Sequence, residues 1–168
     1  MKTIDEKRMA AEMDGGFVIY VNGMRLNKLR AFHKWLGAGL KAARMFERLE
    51  ADPDSGFLGY QPAFKGLRTG AAIQYWRSLD DLKRFARDSG DFHVPAWQWY
   101  NEAVDPGGGV GFWAELYVIE EDDYETFFRN MPRYFGLGRV ADVVPMSDRR
   151  RRLGLANGEH APREDANE

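Results

Sequence analysis

Apolar side chains recur along this chain with two periods, and the switch between them outlines the fold. Phe17-Val18-Ile19-Tyr20-Val21-Asn22 is rich in β-branched and aromatic residues and reads as a strand, which Gly23 should break. From Lys28 to about Ala51 the period lengthens to that of a helix, with Asn27 placed to cap it. On that helix Leu29, Phe32, Leu36, Leu40 and Ala43 share an apolar face that Trp35 and Phe46 widen, while Arg30, Lys34, Lys41, Arg44 and Arg48 form a basic stripe. Glu47 and Glu50 interrupt the stripe, so it reads as a solvated face rather than an anion or membrane surface. Asp52-Pro53-Asp54-Ser55-Gly56 is a stop. Phe57–Phe64 and Ala71–Arg77 read as strands around a turn at Lys65–Gly70. Ser78 with Asp81 makes a variant capping box for a short helix carrying Leu79, Leu82, Phe85 and Ala86. Pro95 suits the first turn of a further helix through about Val104. Val110–Ile119 is the clearest strand, Asp122 or Asp123 is placed to cap a short helix through Arg129, and Arg139–Val144 reads as a last strand.

The order is βαββαβ with a late extra strand, the ferredoxin-like pattern of an α+β fold: an antiparallel sheet with helices on one face. The other face needs a cover, and a second copy of the chain supplies one, which predicts a homodimeric α+β barrel. The expected organisation is a flexible arm at 1–16, one domain at 17–146 and a disordered charged tail at 147–168, where Arg149-Arg150-Arg151-Arg152 precedes an acidic end.

Composition narrows the function classes. At 44% hydrophobic and 14% aromatic the chain can fill one core with aromatics to spare. A net charge of −2 gives no general reason to bind nucleic acid. Without cysteine, disulfide scaffolds, thiolate catalysis and Cys-based metal sites are excluded. No apolar run approaches the ~20 residues needed to span a bilayer, and the reading is of a cytoplasmic protein with no membrane span.

Alternation divides each strand into an aliphatic set and a set mixing aromatics with polar groups. The mixed sets comprise Tyr20, Asn22, Gln74, Trp76, Trp113, Glu115 and Tyr117. Converging on one face, they would make an apolar wall with a few polar groups, the usual form of a small-molecule pocket. The competing reading is a half-exposed sheet face with Glu115 at its rim. His93, just ahead of Pro95, is the best acid–base candidate, since imidazole titrates near neutrality; a surface histidine opening a helix is the plain alternative. His33, His93 and His160 lack metal-site spacing, so no metal is expected. A single histidine, His93 or His33, would suffice for haem. Asn130-Met131-Pro132 reads as a helix end or a pocket rim. Gly107-Gly108-Gly109 precedes a strand and is no phosphate loop, and no Gly-x-Ser-x-Gly elbow is present.

Six segments in order, Asn22-Gly23-Met24-Arg25-Leu26-Asn27 with the helix after it, Ser55-Gly56-Phe57-Leu58-Gly59-Tyr60, Gln74-Tyr75-Trp76-Arg77-Ser78, His93-Val94-Pro95-Ala96-Trp97 and Asn130-Met131-Pro132, resemble the DUF4188 family over about Phe17–Val144. That family is similar to a fumagillin-pathway monooxygenase of the antibiotic-biosynthesis-monooxygenase type. The resemblance implies a dimeric α+β barrel and kinship with cofactor-free oxygenases, and more distantly with haem-containing aldoxime dehydratases. It implies an oxidoreductase acting on a hydrophobic, aromatic or terpenoid-like substrate, with His93, Asn22 and Trp76 as catalytic candidates matched in residue type. Tyr20, Gln74, Trp113, Glu115, Tyr117 and Asn130 are the substrate-binding candidates. No cofactor is expected, with haem as the alternative. The remaining alternative is a barrel that binds a small molecule without turning it over.

Overall fold

The computed structural model describes residues 4–87, 107–132 and 135–154. The strands are β1 (Ile4–Asp5), β2 (Met9–Glu12), β3 (Phe17–Leu26), β4 (Phe57–Lys65), β5 (Thr69–Trp76), β6 (Val110–Ile119), β7 (Met131–Pro132) and β8 (Asp142–Pro145). The helices are α1 (Phe32–Ala51), α2 (Leu79–Arg87) and α3 (Met146–Arg152). Four strands form an antiparallel sheet in the order β4-β5-β3-β6, which is the ferredoxin-like arrangement. β3 runs on through Gly23 to Leu26, because an extended backbone there is held by partners on both sides. Asn27 does not cap α1. Its side-chain amide donates to the Gly108 carbonyl, and a short 3-10 turn at Leu29–Ala31 leads into the helix. The Ser78–Asp81 capping box is present: the Asp81 N–H donates to Ser78 Oγ at 3.1 Å, and that hydroxyl donates to Asp81 Oδ2 at 2.8 Å.

The sheet is open. β4 and β6 lie at its two edges and, among the described residues, no sheet closes on itself, so the barrel expected from the sequence is not formed. Part of the reason is that the chain covers much of the second face itself. Residues 1–16, expected as a loose arm, contain β2, which pairs with β8 and buries Met9, Ala10 and Ala11. Ala11, Phe17, Tyr75 and Leu137 form a core on that face, with Tyr124 edge-on to Phe17 at 5.1 Å. The helix expected after Asp122 is absent. Asp122 adopts a left-handed φ of 66°, and the segment is irregular, joined to β2 by paired backbone hydrogen bonds between Met9 and Phe128. The expected tail at 147–168 begins as α3, whose Arg149 is almost wholly buried; residues 155–168 lie outside the described part.

On the first face α1 and α2 pack over Val18, Phe57, Ala72 and Trp76. Phe46 stacks on Tyr60 at 4.2 Å, and Phe57 meets Trp76 edge-on at 5.1 Å. The face of α1 that packs inward is Ala38, Ala42, Met45, Phe46 and Leu49. It is rotated from the expected stripe: Leu29, Phe32, Leu36 and Leu40 remain exposed.

Candidate functional site

A cavity of about 370 Å³ lies between α1 and the sheet. Its floor is Asn22, Met24, Ala71 and Ala72; its roof is Trp35, Ala38, Gly39, Ala42 and Met45; Tyr60, Phe64 and Phe112 close its sides. The void follows from residue size. Small side chains on α1 meet small side chains on β5, so helix and sheet cannot fill the gap between them. The lining is apolar apart from the Asn22 amide and the Tyr60 hydroxyl. A second cleft of about 420 Å³ lies between residues 122–126 and α3. Its charged groups include Arg150 paired with Glu125 at 2.8 Å, and it gathers none of the catalytic or substrate-binding candidates read from the sequence.

The cross-strand register decides which predicted residues meet. Residues directly opposite one another share a face. Val18 faces Trp76 and Val118, Tyr20 faces Gln74 and Leu116, and Asn22 faces Ala72 and Ala114. Tyr20, Asn22, Gln74 and Trp76 therefore lie together on the helix side. Trp113, Glu115 and Tyr117 oppose Gly23, Val21 and Ile19, on the other face. The seven-residue wall expected from alternation is thus two separate groups. Trp113 lies across Gly23, in the space a Cβ would need. Tyr117 donates to Glu115 Oε2 at 2.7 Å in the open, and this bond to the carboxylate raises the phenol's pKa. Asn130 is exposed at a left-handed turn (φ 54°) and does not line the cavity. His93 lies outside the described residues.

The four residues that do meet form a directed chain. Trp76 Nε1 donates to Gln74 Oε1 at 3.1 Å, and Gln74 Nε2 donates to Asn22 Oδ1 at 3.0 Å. An indole N–H can only donate. It fixes which end of the Gln74 amide faces it, and Gln74 in turn fixes Asn22, whose NH₂ is turned outward to donate. One consequence is visible at Tyr20: burial raises its pKa, and a hydrogen bond with the Asn22 side chain works in the opposite direction. Trp76 and Gln74 are both buried, so the chain stands in a medium where each bond is electrostatically strengthened. All four residues are legible in the sequence; their direction is not.

No histidine lines the cavity among the described residues, and His33 is exposed on α1. The described lining therefore does not supply the proximal histidine that a haem reading needs. No group of three or more His, Asp or Glu side chains suited to a metal ion occurs among the described residues. No described helix is long and apolar enough to cross a membrane.

An antiparallel ferredoxin-like sheet, with an apolar cavity under its long helix and one oriented amide at the floor, defines a protein of the α+β class. The chain belongs to the Monooxygenase af470-like family, which it matches over residues 17–137. This places it in the ferredoxin-like superfamily of antibiotic-biosynthesis-monooxygenase type; the narrower DUF4188 name rests on the sequence reading alone. Among solved structures, an aldoxime dehydratase is similar at 18% identity with a TM-score of 0.61, over 84% of this chain and 43% of that one. The aldoxime dehydratase OxdRE, solved with butyraldoxime, is similar at 17% identity and a TM-score of 0.56, over 86% and 40%. The chain thus spans less than half the length of these dehydratases, and the likeness is one of fold. SnoaB, a cofactor-independent oxygenase from Streptomyces nogalater, is similar at 16% identity with a TM-score of 0.44, over 61% and 91%. No curated protein matches the chain.

Proposed function

We propose that the protein is a monooxygenase-type enzyme that takes a hydrophobic, aromatic or terpenoid-like molecule into the cavity beneath α1 and needs no bound cofactor. The observation that carries this reading is the directed chain from Trp76 through Gln74 to Asn22, which presents an N–H donor at the floor of an otherwise apolar cavity. A donor fixed in that way suits an oxygen on which negative charge develops, such as the carbonyl oxygen of a substrate losing an adjacent proton. His93 is the proposed base. The resulting carbanion would react with dioxygen at the same carbon, and loss of water would complete the conversion of CH₂ and O₂ into C=O and H₂O. The electrons come from the substrate. We further take the active form to be a homodimer, because β6 is an edge strand that leaves Leu116 and Val118 exposed.

The test is oxygen uptake with mass spectrometry of products, run over a panel of electron-rich ketones and phenols. Asn22→Ala should lower turnover by ~10²–10³-fold, the usual worth of one such donor. Gly39→Phe should abolish ligand uptake while the protein stays folded. The Gly39 position opens on empty space at the cavity wall, and replacing a helical glycine relieves a cost of about 0.5–1 kcal/mol. Turnover that survives in both variants would place the chemistry elsewhere. Uptake without turnover, in the wild type and across the panel, would favour a binding protein.

A further inference from the structure

The cavity opens on a surface whose composition differs from the rest of the molecule. From Asn22 to Phe46 the chain carries Arg25, Lys28, Arg30, Lys34, Lys41 and Arg44 and no acidic residue. From Ser55 to Ser78 it carries Lys65, Arg68 and Arg77 and again no acidic residue. The whole protein has a net charge of −2, so these two stretches of sequence are basic against an acidic whole, with Glu47 and Glu50 following the first. The same surface is apolar at its most prominent points. Leu67, at the tip of the β4–β5 hairpin, is 94% exposed, and Phe64 beside it is 75% exposed. Phe32, Leu36 and Leu40 follow one another along the exposed side of α1. Phe64, Leu36 and Leu40 all line the cavity, so the hairpin and the helix frame one mouth.

We propose that this mouth docks on an anionic phospholipid surface, with Leu67 and Phe64 entering the acyl boundary and Lys65, Arg68 and Arg30 lying at the level of the headgroups. Lys65 and Arg68 flank Leu67 in sequence, so one hairpin tip offers an apolar probe between two cations, the pairing that interfacial binding uses. A second copy of the chain fits this surface poorly. Two-fold contact would set the same patch against itself, basic on basic, with no acidic residue in either segment to offset it. Nucleic acid would satisfy the charge but gives aliphatic tips such as Leu67 nothing to pack against. Docking would set the cavity mouth facing the phase in which a hydrophobic substrate is concentrated.

The experiment is co-sedimentation of the full chain with vesicles of phosphatidylglycerol and phosphatidylcholine, compared with phosphatidylcholine alone, at low and high salt. Binding is expected to the anionic vesicles and to weaken with salt. Leu67→Glu should lower partitioning by about tenfold or more, the worth of one buried leucine side chain. Arg68→Glu should lower it about fivefold or more at low salt. Leu67 is too exposed for its replacement to disturb folding, which a melting curve will check. The proposal is overturned by absence of binding, by equal binding to both vesicle types, or by unchanged binding of Leu67→Glu, which would mean charge alone. It is also overturned if Leu67→Glu converts a dimer to monomers. Gly39→Phe should keep vesicle binding, so failure of docking and failure of the proposed cavity chemistry are read separately.

Discussion

The two faces of the central sheet solve the same burial problem in different ways. On the α1 side, the small side chains of Ala38 and Ala42 face that of Ala72, and a cavity with one oriented amide is left between them. On the far side, other parts of the chain fold back: β2, with Tyr124, Phe128, Leu137, Val140 and Ala141, covers Phe17, Ile19, Ile73 and Tyr75. Buried polar groups follow the same division. The α1 side holds a neutral chain, Trp76–Gln74–Asn22, ending at the cavity. The far side holds a charge, Arg149, whose guanidinium lies over the Tyr124 ring at 4.3 Å and donates to the Tyr124 carbonyl at 2.9 Å. A neutral relay can be left open to a ligand, because an unfilled end is a modest cost. A buried cation needs its partners always in place. The contrast fits the proposal that ligand chemistry belongs to the α1 side, with structural closure on the other.

The sharpest way to break the contrast is Trp76→Ala. Trp76 is fully buried against Phe57 and Phe85, and its loss should cost ~3–5 kcal/mol, read as a fall in melting temperature, together with ligand uptake. On the other face, Arg149→Ala should cost about 1.5–3 kcal/mol through its charge-assisted bonds while ligand uptake by the folded protein is unchanged. Equal loss of uptake in both variants would show that the faces are coupled.

A third test uses pH at the end of the α1-side core. Hydrogen bonding from Arg77 above all, with Ser78 and Arg84, holds the Asp81 carboxyl down to about 2 from 3.8, against the opposing effect of burial. A carboxyl depressed on folding stabilises the protein above its unfolded pKa and loses that contribution as pH falls through the folded value. Stability should therefore drop between about pH 4 and pH 2. The share due to Asp81 should be ~1–2 kcal/mol, since Arg77 and Arg84 are half exposed and screened. Asp81→Asn should flatten that part of the profile in a denaturant series. Gly56, at φ 73° against the Asp81 side chain, has no room for a Cβ, so this corner cannot relax to compensate. The smallest effect belongs to Tyr117→Phe. The bond to Glu115 is exposed, so neither melting temperature nor ligand uptake should change; a loss of uptake would return the far face to the site.

What the sequence by itself determined is local. The βαββαβ order, the Ser78–Asp81 box and the Val110–Ile119 strand follow from periodicity and capping chemistry, which neighbouring residues decide among themselves. Tyr20, Asn22, Gln74 and Trp76 were legible as candidates because polar groups in β-rich runs need partners. Their sharing of one face is legible too, but not the limit of the group. Alternation gives each strand two faces but does not say which face of one strand meets which face of the next, so Trp113, Glu115 and Tyr117 were joined to the wrong set. The ends of the chain are illegible for a similar reason. Met9-Ala10-Ala11 is too short and small-sided to announce a strand, and Arg149 in a run of arginines gives no local sign of burial. Both are settled by partners more than a hundred residues away, Thr126 and β8 for β2, and Glu12 for Arg149. Only the tertiary structure decided the open sheet, the rotation of α1 that leaves Leu36 and Leu40 at a cavity mouth, and the direction of the amide chain, because each depends on long-range packing that no short window of sequence contains.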